Sequence, residues 1–190
     1  MAGVASVRRL ALLVIDMQER FRPLCDQNIF SEVNETIRSC RALKVPVIFT
    51  LHGHRYPEVD SGVLGEWWEH DLSIVGDSTW QLMPEMDVNK TKDIIIDEKR
   101  RYDAFHGTVL EDMLRQKKVD TVVISGVMTN LCCETTARSA FVRDFNVIFL
   151  SNGTATATQA MHDATLLNLA FGFATVVTCQ EFREKHLNAN

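Results

Sequence analysis

The sequence predicts an α/β fold in three layers, with helices on both faces of a mainly parallel, six-stranded sheet. Two observations carry that prediction. Six short β-rich runs recur along the 190 residues, and they are near-continuously apolar, as strands covered on both faces are. Between most of them lie helical patterns with one apolar stripe, which supplies the crossovers that parallel strands need.

The first run, LALLVID (10–16), follows Arg8 and Arg9 and stops at Asp16. It is too short for the apolar region of a signal peptide, and no segment approaches the roughly 20 apolar residues of a membrane span. In SEVNETIRSCRAL (31–43), Val33, Ile37 and Cys40 fall at i, i+4 and i+7 on one helical face. VPVIFTLH (45–52) is the second run. From about His54 to Asn89 no period is clear, and this excursion, which carries Trp67, Trp68 and Trp80, reads as a long functional loop with short helical turns. Its tryptophans form a lid or pocket wall, or else lie in a subunit interface.

DIIIDEK (93–99) is the third run. TVLEDMLRQKK (108–118) opens with Thr108 and Glu111 at capping-box spacing and sets Leu110, Met113 and Leu114 on a buried side. TVVISG (121–126) and NVIFLSN (146–152) are strands, each followed by an amphipathic pattern, TTARSAFVRDF (135–145) before the second and ATQAMHDATLLNLAFGF (157–173) after it. ATVVTC (174–179) is the last strand. Residues 1–190 read as one domain.

Twenty basic and 25 acidic residues give a net charge of -5, and the longest basic run is Lys99 to Arg101, so no nucleic-acid partner is expected, and with no apolar span no membrane partner is expected either. Five cysteines with no C-x-x-C pair indicate neither a disulfide framework nor a zinc knuckle. Reduced thiols in a cytoplasmic setting fit that usage. Cys25, Cys40, Cys133 and Cys179 read as packing residues, and His106 and His162 as surface or helix-cap residues.

Open parallel sheets hold ligands beyond the carboxyl ends of their strands. Asp16 ends the first strand, His52 and His54 follow the second, Lys99 the third and the cysteines the fourth. Singly, these read as a helix cap, a solvated charge and a core thiol; their convergence on one edge points to a site. At a helix N-terminus the Cys132 thiol is expected to have a lowered pKa. Amides from Met128 to Cys132 are placed as an oxyanion hole. Asp16 is placed to take and return a proton, with Lys99 keeping both groups charged.

Three blocks, LLVIDMQERF (12–21), DEKRRYDAFHGTVLEDMLR (97–115) and SGVMTNLCCETTARSAFVRDFNV (125–147), resemble the signatures of the isochorismatase-like cysteine hydrolases. That superfamily includes nicotinamidases, N-carbamoylsarcosine amidase, ureidoacrylate amidohydrolases and isochorismatases. The resemblance runs from about Leu10 to Phe182 and implies a Rossmann-like sheet and a catalytic triad of Asp16, Lys99 and Cys132. It implies an oxyanion hole at Met128 and Cys132, with a cis peptide before Met128. Gln18, Tyr102 and Phe105 match positions that line or support the pocket, and Phe21, His52, His54, Trp67 and Trp68 complete the expected substrate contacts.

A retained Cys132 favours a thioester mechanism on a small amide, ureido or carbamoyl substrate. The alternatives are vinyl-ether hydrolysis of an isochorismate-like acid, and a non-catalytic binding protein. Nicotinamidases carry a metal at an Asp-x-His pattern; here His52-Gly53-His54 stands in its place, so no cofactor is expected, and zinc, if held, would use His52 and His54 with Asp60 or His70. The resemblance further implies a homo-oligomer, a dimer or larger, built on the helices after the fourth and fifth strands.

Overall fold

The computed structural model describes residues 8–187, so that 1–7 and 188–190 of the expected domain lie outside the described residues. All six apolar runs form strands: β1 Leu10–Ile15, β2 Val47–His52, β3 Ile94–Lys99, β4 Thr121–Val127, β5 Asn146–Ala155 and β6 Thr175–Val177. They pair in the order β3-β2-β1-β4-β5-β6, and every pairing is parallel.

Every residue of β1, β2 and β4 is buried, which is why these runs are apolar without alternation. The pleat still sorts them. Leu10, Leu12 and Val14 join the core beneath α1 (Gln27–Ala42), where Val33, Ile37 and Cys40 are buried. Ala11, Leu13 and Ile15 face the opposite core. Asp26 starts α1 by accepting a 3.0 Å hydrogen bond from the Ile29 amide.

The excursion contains two short helices, α2 (Pro57–Asp60) and α3 (Val63–Trp67), and a 3-10 turn at Ser78–Trp80. Beyond it, α4 (Leu110–Gln116), α5 (Glu134–Phe141) and α6 (Gln159–Gly172) supply the second helical layer. Leu110, Leu114, Ala137, Ala140 and Leu169 pack there against the sheet.

Two expectations are corrected. No capping box forms at Thr108 and Glu111: the Thr108 hydroxyl donates to the Ala104 carbonyl at 2.6 Å and accepts from the Leu110 amide at 3.2 Å, so α4 starts two residues later. In α6 only Thr165 and Leu169 are buried, with Leu166 partly buried against the same core, while Leu167 and Phe171 are 74% and 94% exposed, so the expected amphipathic pattern is narrow and much of the apolar surface faces outward. Among the described residues no helix is long and apolar enough to cross a membrane.

From β1 the chain winds outward to β2 and β3, and from β4 outward to β5 and β6, which makes the β1/β4 boundary the topological switch point. Ile15 pairs with Gly126 across it. Asp16 leaves β1 and the Thr129–Cys133 segment leaves β4 on either side of that crevice.

Candidate active site

Three buried groups meet at the switch point. Lys99, the last residue of β3, donates from Nζ to Asp16 Oδ2 at 2.5 Å, and both side chains are fully buried. The other carboxylate oxygen, Oδ1, accepts from the Thr50 hydroxyl at 2.6 Å. Asp16 itself sits in the left-handed region at φ 48°, where the chain turns out of the sheet. The Cys132 thiol is close enough to Asp16 and Lys99 that both charges act on its ionisation.

A π-helical turn over Thr129–Cys133 hands Cys132 to the crevice and runs on into α5. The Val127–Met128 peptide is cis, as the resemblance implied. The Thr129 hydroxyl is joined to His162 Nδ1 at 3.0 Å, and Thr156 donates to Asn130 Oδ1 at 2.5 Å, so α6 and the end of β5 brace this turn.

The thiol's expected lowered pKa is corrected. Burial pushes Cys132 up to about 12, with the Lys99 ammonium opposing and Asp16 reinforcing that rise. A turn's partial charge acts at a fraction of a unit charge, and full desolvation outweighs it. The resting group is a thiol. On Lys99, burial pulls the ammonium down, yet Asp16 and then Cys132 overcome it and its pKa is raised.

The thiol opens into a cavity of about 740 Å³ lined by Phe21, His52, Trp68, Tyr102, Met128 and Cys132 among others. The 3-10 turn Glu19–Leu24 forms one wall, a role sequence reasoning assigned only to Phe21. Trp68 Nε1 donates to the Tyr102 hydroxyl at 2.7 Å. Arg20 donates to the Asp71 carbonyl at 2.7 Å and pairs with its carboxylate at 2.9 Å. These contacts tie the excursion to the walls.

Other expected contacts fall elsewhere. Gln18 is buried beneath the site, where its amide donates to the His52 and Trp80 carbonyls at 3.0 and 2.7 Å and accepts from the His52 amide at 2.7 Å. Trp67 is 75% exposed, on the far side of α3. Phe105 packs in the core, its ring 5.9 Å from that of Phe145. His54 is fully buried behind His52. Trp80 lies over Gly53. Cys133 is buried beside the Ser125 carbonyl, in the packing role expected for it.

The His52-x-His54 pattern does not fit a divalent cation. The nearest carboxylate, Asp60, is engaged by His54 Nδ1 at 2.8 Å and Arg100 at 3.2 Å, besides the Arg55 and Tyr56 amides. His70 is exposed. Burial first, then Lys99, His54, Arg101 and Arg20, hold the His52 pKa well below its ordinary value. A second cation would meet the same positive field. Among the described residues no three His, Cys, Asp or Glu side chains converge.

A doubly wound sheet whose switch point brings together a buried thiol, ammonium and carboxylate defines a class of α/β proteins with a cysteine at the crevice. Residues 10–181 match the isochorismatase domain, and the chain belongs to that family of hydrolases. Nicotinamidase 3 of Arabidopsis thaliana is 45% identical over 177 residues, 93% of this chain and 88% of that protein. A cysteine hydrolase from Pseudomonas syringae pv. phaseolicola 1448A superposes with TM-score 0.87 at 25% identity, covering 100% of this chain and 99% of that one. N-carbamoylsarcosine amidase from Thermoplasma acidophilum gives TM-score 0.77 at 25% identity, over 91% and 98%.

Proposed function

We propose that this protein is a cysteine-dependent amidohydrolase of small amides, with Cys132 as nucleophile, Asp16 as proton carrier and Lys99 as the fixed positive charge. The carrying observation is that Cys132, which lines the cavity, sits beside the buried Asp16–Lys99 pair. The named activities of the Arabidopsis and Thermoplasma relatives, a nicotinamidase and a carbamoyl amidase, support an amide or carbamoyl substrate.

Because the thiol rests protonated, attack and deprotonation are coupled. The proton passes from Sγ to the Asp16 carboxylate as sulfur bonds to the substrate carbonyl carbon, and Lys99 stabilises the charge developing on sulfur. The carbonyl oxygen gains negative charge, which the Met128 and Cys132 amides hold. Such a donor contributes about 100- to 1000-fold in rate. Asp16 returns its proton to the amide nitrogen, the C–N bond breaks, and ammonia or an amine leaves a thioester. Water then attacks, giving its proton to Asp16, and the acid departs as the proton goes back to sulfur.

The test is ammonia release across nicotinamide, ureido acids and carbamoyl amino acids, with Cys132→Ser as the blank. Release that vanishes in the variant, together with an acyl-thioester mass on Cys132, is the expected outcome. Isochorismate turnover without a thioester would replace this reading with acid-catalysed vinyl-ether hydrolysis by Asp16. Self-association belongs to the same proposal: Phe141, Val142, Leu167 and Phe171 on and beside α5 and α6 are exposed, and sedimentation of the wild type against Leu167→Glu, with dissociation expected in the variant, tests it.

A further inference from the structure

Thr50 puts a hydroxyl into a buried, otherwise apolar strand. Ile48 and Phe49 before it enter the two opposite cores, and Thr50 is itself fully buried, where a valine of the same shape would leave no polar atom to satisfy. Its side chain engages Asp16 twice. Oγ1 donates to Asp16 Oδ1 at 2.6 Å and accepts from the Asp16 amide at 3.3 Å, and that amide also donates to the Thr50 carbonyl at 3.2 Å. A hydroxyl carries one proton. With an N–H facing its lone pair, that proton is directed at the carboxylate.

The two donors on the carboxylate differ in stiffness. An aspartate χ2 is a broad torsion, so the plane of the Asp16 carboxylate is set by its partners and not by its rotamer. Lys99 reaches Oδ2 at 2.5 Å from the end of a four-carbon stem whose ammonium can follow the oxygen as it turns. Thr50 is β-branched and stiff at χ1, and its backbone is held on both sides, in register with Ile15 of β1 and Ile96 of β3. The β2–β3 register shifts immediately afterwards, between Thr50 and His52, and Lys99 lies beyond the shift, paired with His52. Irregularities of this kind re-aim side chains next to active sites. Thr50 is the last regularly paired position before the crevice, and Lys99 is offset from it.

We propose that Thr50 is a positioning residue, whose hydroxyl fixes the plane of the Asp16 carboxylate so that one oxygen stays turned toward the Cys132 thiol. Lys99 supplies the charge and Thr50 the direction. This deepens the amidase reading and rests on it for Asp16 as the proton carrier. It bears on both proton transfers, from Sγ to the carboxylate and from the carboxylate to the leaving nitrogen.

Thr50→Val keeps the shape and the branch and deletes the hydroxyl; Thr50→Ser keeps the hydroxyl and loses the branch. On an amide that the wild type hydrolyses, kcat is expected to fall about 10- to 100-fold in Thr50→Val, the scale of a misplacement of about 1 Å. KM should stay within about twofold, because no contact to the substrate is removed, and Thr50→Ser should recover part of the loss in kcat. A loss of stability alone, with kcat of the folded protein unchanged, overturns the proposal.

A second measurement needs no substrate. The rate of Cys132 alkylation by iodoacetamide at pH 8 in the wild type, Thr50→Val, Asp16→Asn and the double variant forms a cycle. Thr50→Val should change the rate about fivefold or more when Asp16 is present and by less than about twofold when it is Asn. Thr50→Ser, which leaves the buried carboxylate its donor and so protects the fold, should show the same dependence on Asp16 at smaller size. Equal factors in both backgrounds mean that Thr50 does not act through Asp16, and overturn the proposal. If the cycle shows the coupling while the wild type releases ammonia from no amide, the amidase reading fails and the positioning of Asp16 stands.

Discussion

Lys99 Nζ lies 2.5 Å from Asp16 Oδ2 with neither side chain reached by solvent. Desolvating both charges is costly, and the pair survives because each neutralises the other while Thr50 fills a further carboxylate site. Removing one partner leaves the other charged and alone. Lys99→Met is expected to destabilise the fold by about 3–5 kcal/mol, and Asp16→Asn/Lys99→Met to be more stable than Lys99→Met although equally inactive. Urea denaturation of the wild type, both single variants and the double variant measures this; equal losses in Lys99→Met and the double variant would contradict it.

The same pair acts on the thiol with opposite signs. Burial is the largest cause of the rise to about 12, Lys99 opposes it and Asp16 adds to it. Alkylation of Cys132 by iodoacetamide reports the thiolate fraction, so in the wild type it should still be climbing at pH 10. Asp16→Asn removes the reinforcing charge and should alkylate faster at pH 8 despite losing turnover, whereas Lys99→Met should alkylate more slowly. Mass spectrometry of the Cys132 peptide over pH 7 to 10 gives the three profiles, and an early plateau in the wild type would contradict the buried thiol.

How much of this was legible follows from what each residue's position depends on. Asp16, Lys99 and Cys132 were found because a parallel sheet sends every strand's end to one edge, and that rule needs only the strand boundaries. Of the expected contacts, Gln18 and Phe105 are buried behind the cavity rather than lining it and Trp67 turns outward, because nearness to a motif does not say which way a side chain turns. Phe105 went to the core beside Phe145, and Trp67 outward from a helix of five residues. Thr50 and His162 were missed: a threonine inside an apolar strand and a lone histidine carry no local mark, and their partners, Asp16 and Thr129, are 34 and 33 residues away. Desolvation of the thiol depends on how the surrounding strands and turn pack over it, which no spacing encodes.

Trp68 and Tyr102 close the cavity wall through one 2.7 Å hydrogen bond. Tyr102 is itself held from behind, its carbonyl accepting from Thr136 at 3.4 Å while Thr136 also receives the Ala104 amide at 3.0 Å. Trp68→Phe keeps the ring and deletes the N–H, and is expected to raise KM about threefold to tenfold with little change in kcat, the pattern of lost ground-state binding. Tyr102→Phe should behave alike, and the double variant should add little. A fall in kcat equal to the loss in kcat/KM would instead place Trp68 in the chemical step.

Gly126 makes the switch point possible. It pairs with Ile15 at φ 113°, a region closed to most side chains, and a Cβ built there would sit 2.0 Å from the Ile15 carbonyl oxygen and 2.6 Å from its nitrogen. Neither obstacle can yield, because Ile15 is hydrogen-bonded between β2 and β4 and the next residue is Asp16. Gly126→Ala is expected to cost more than about 4 kcal/mol. Gly172 is the control: it ends α6 in open space, with no neighbour within 4 Å, and Gly172→Ala should be neutral or stabilise by up to about 1 kcal/mol. Thermal unfolding of the two variants decides the matter, and a Gly126→Ala protein as stable as the wild type would mean that β1 and β4 can separate without loss, contrary to the close packing that sets the thiol beside Asp16.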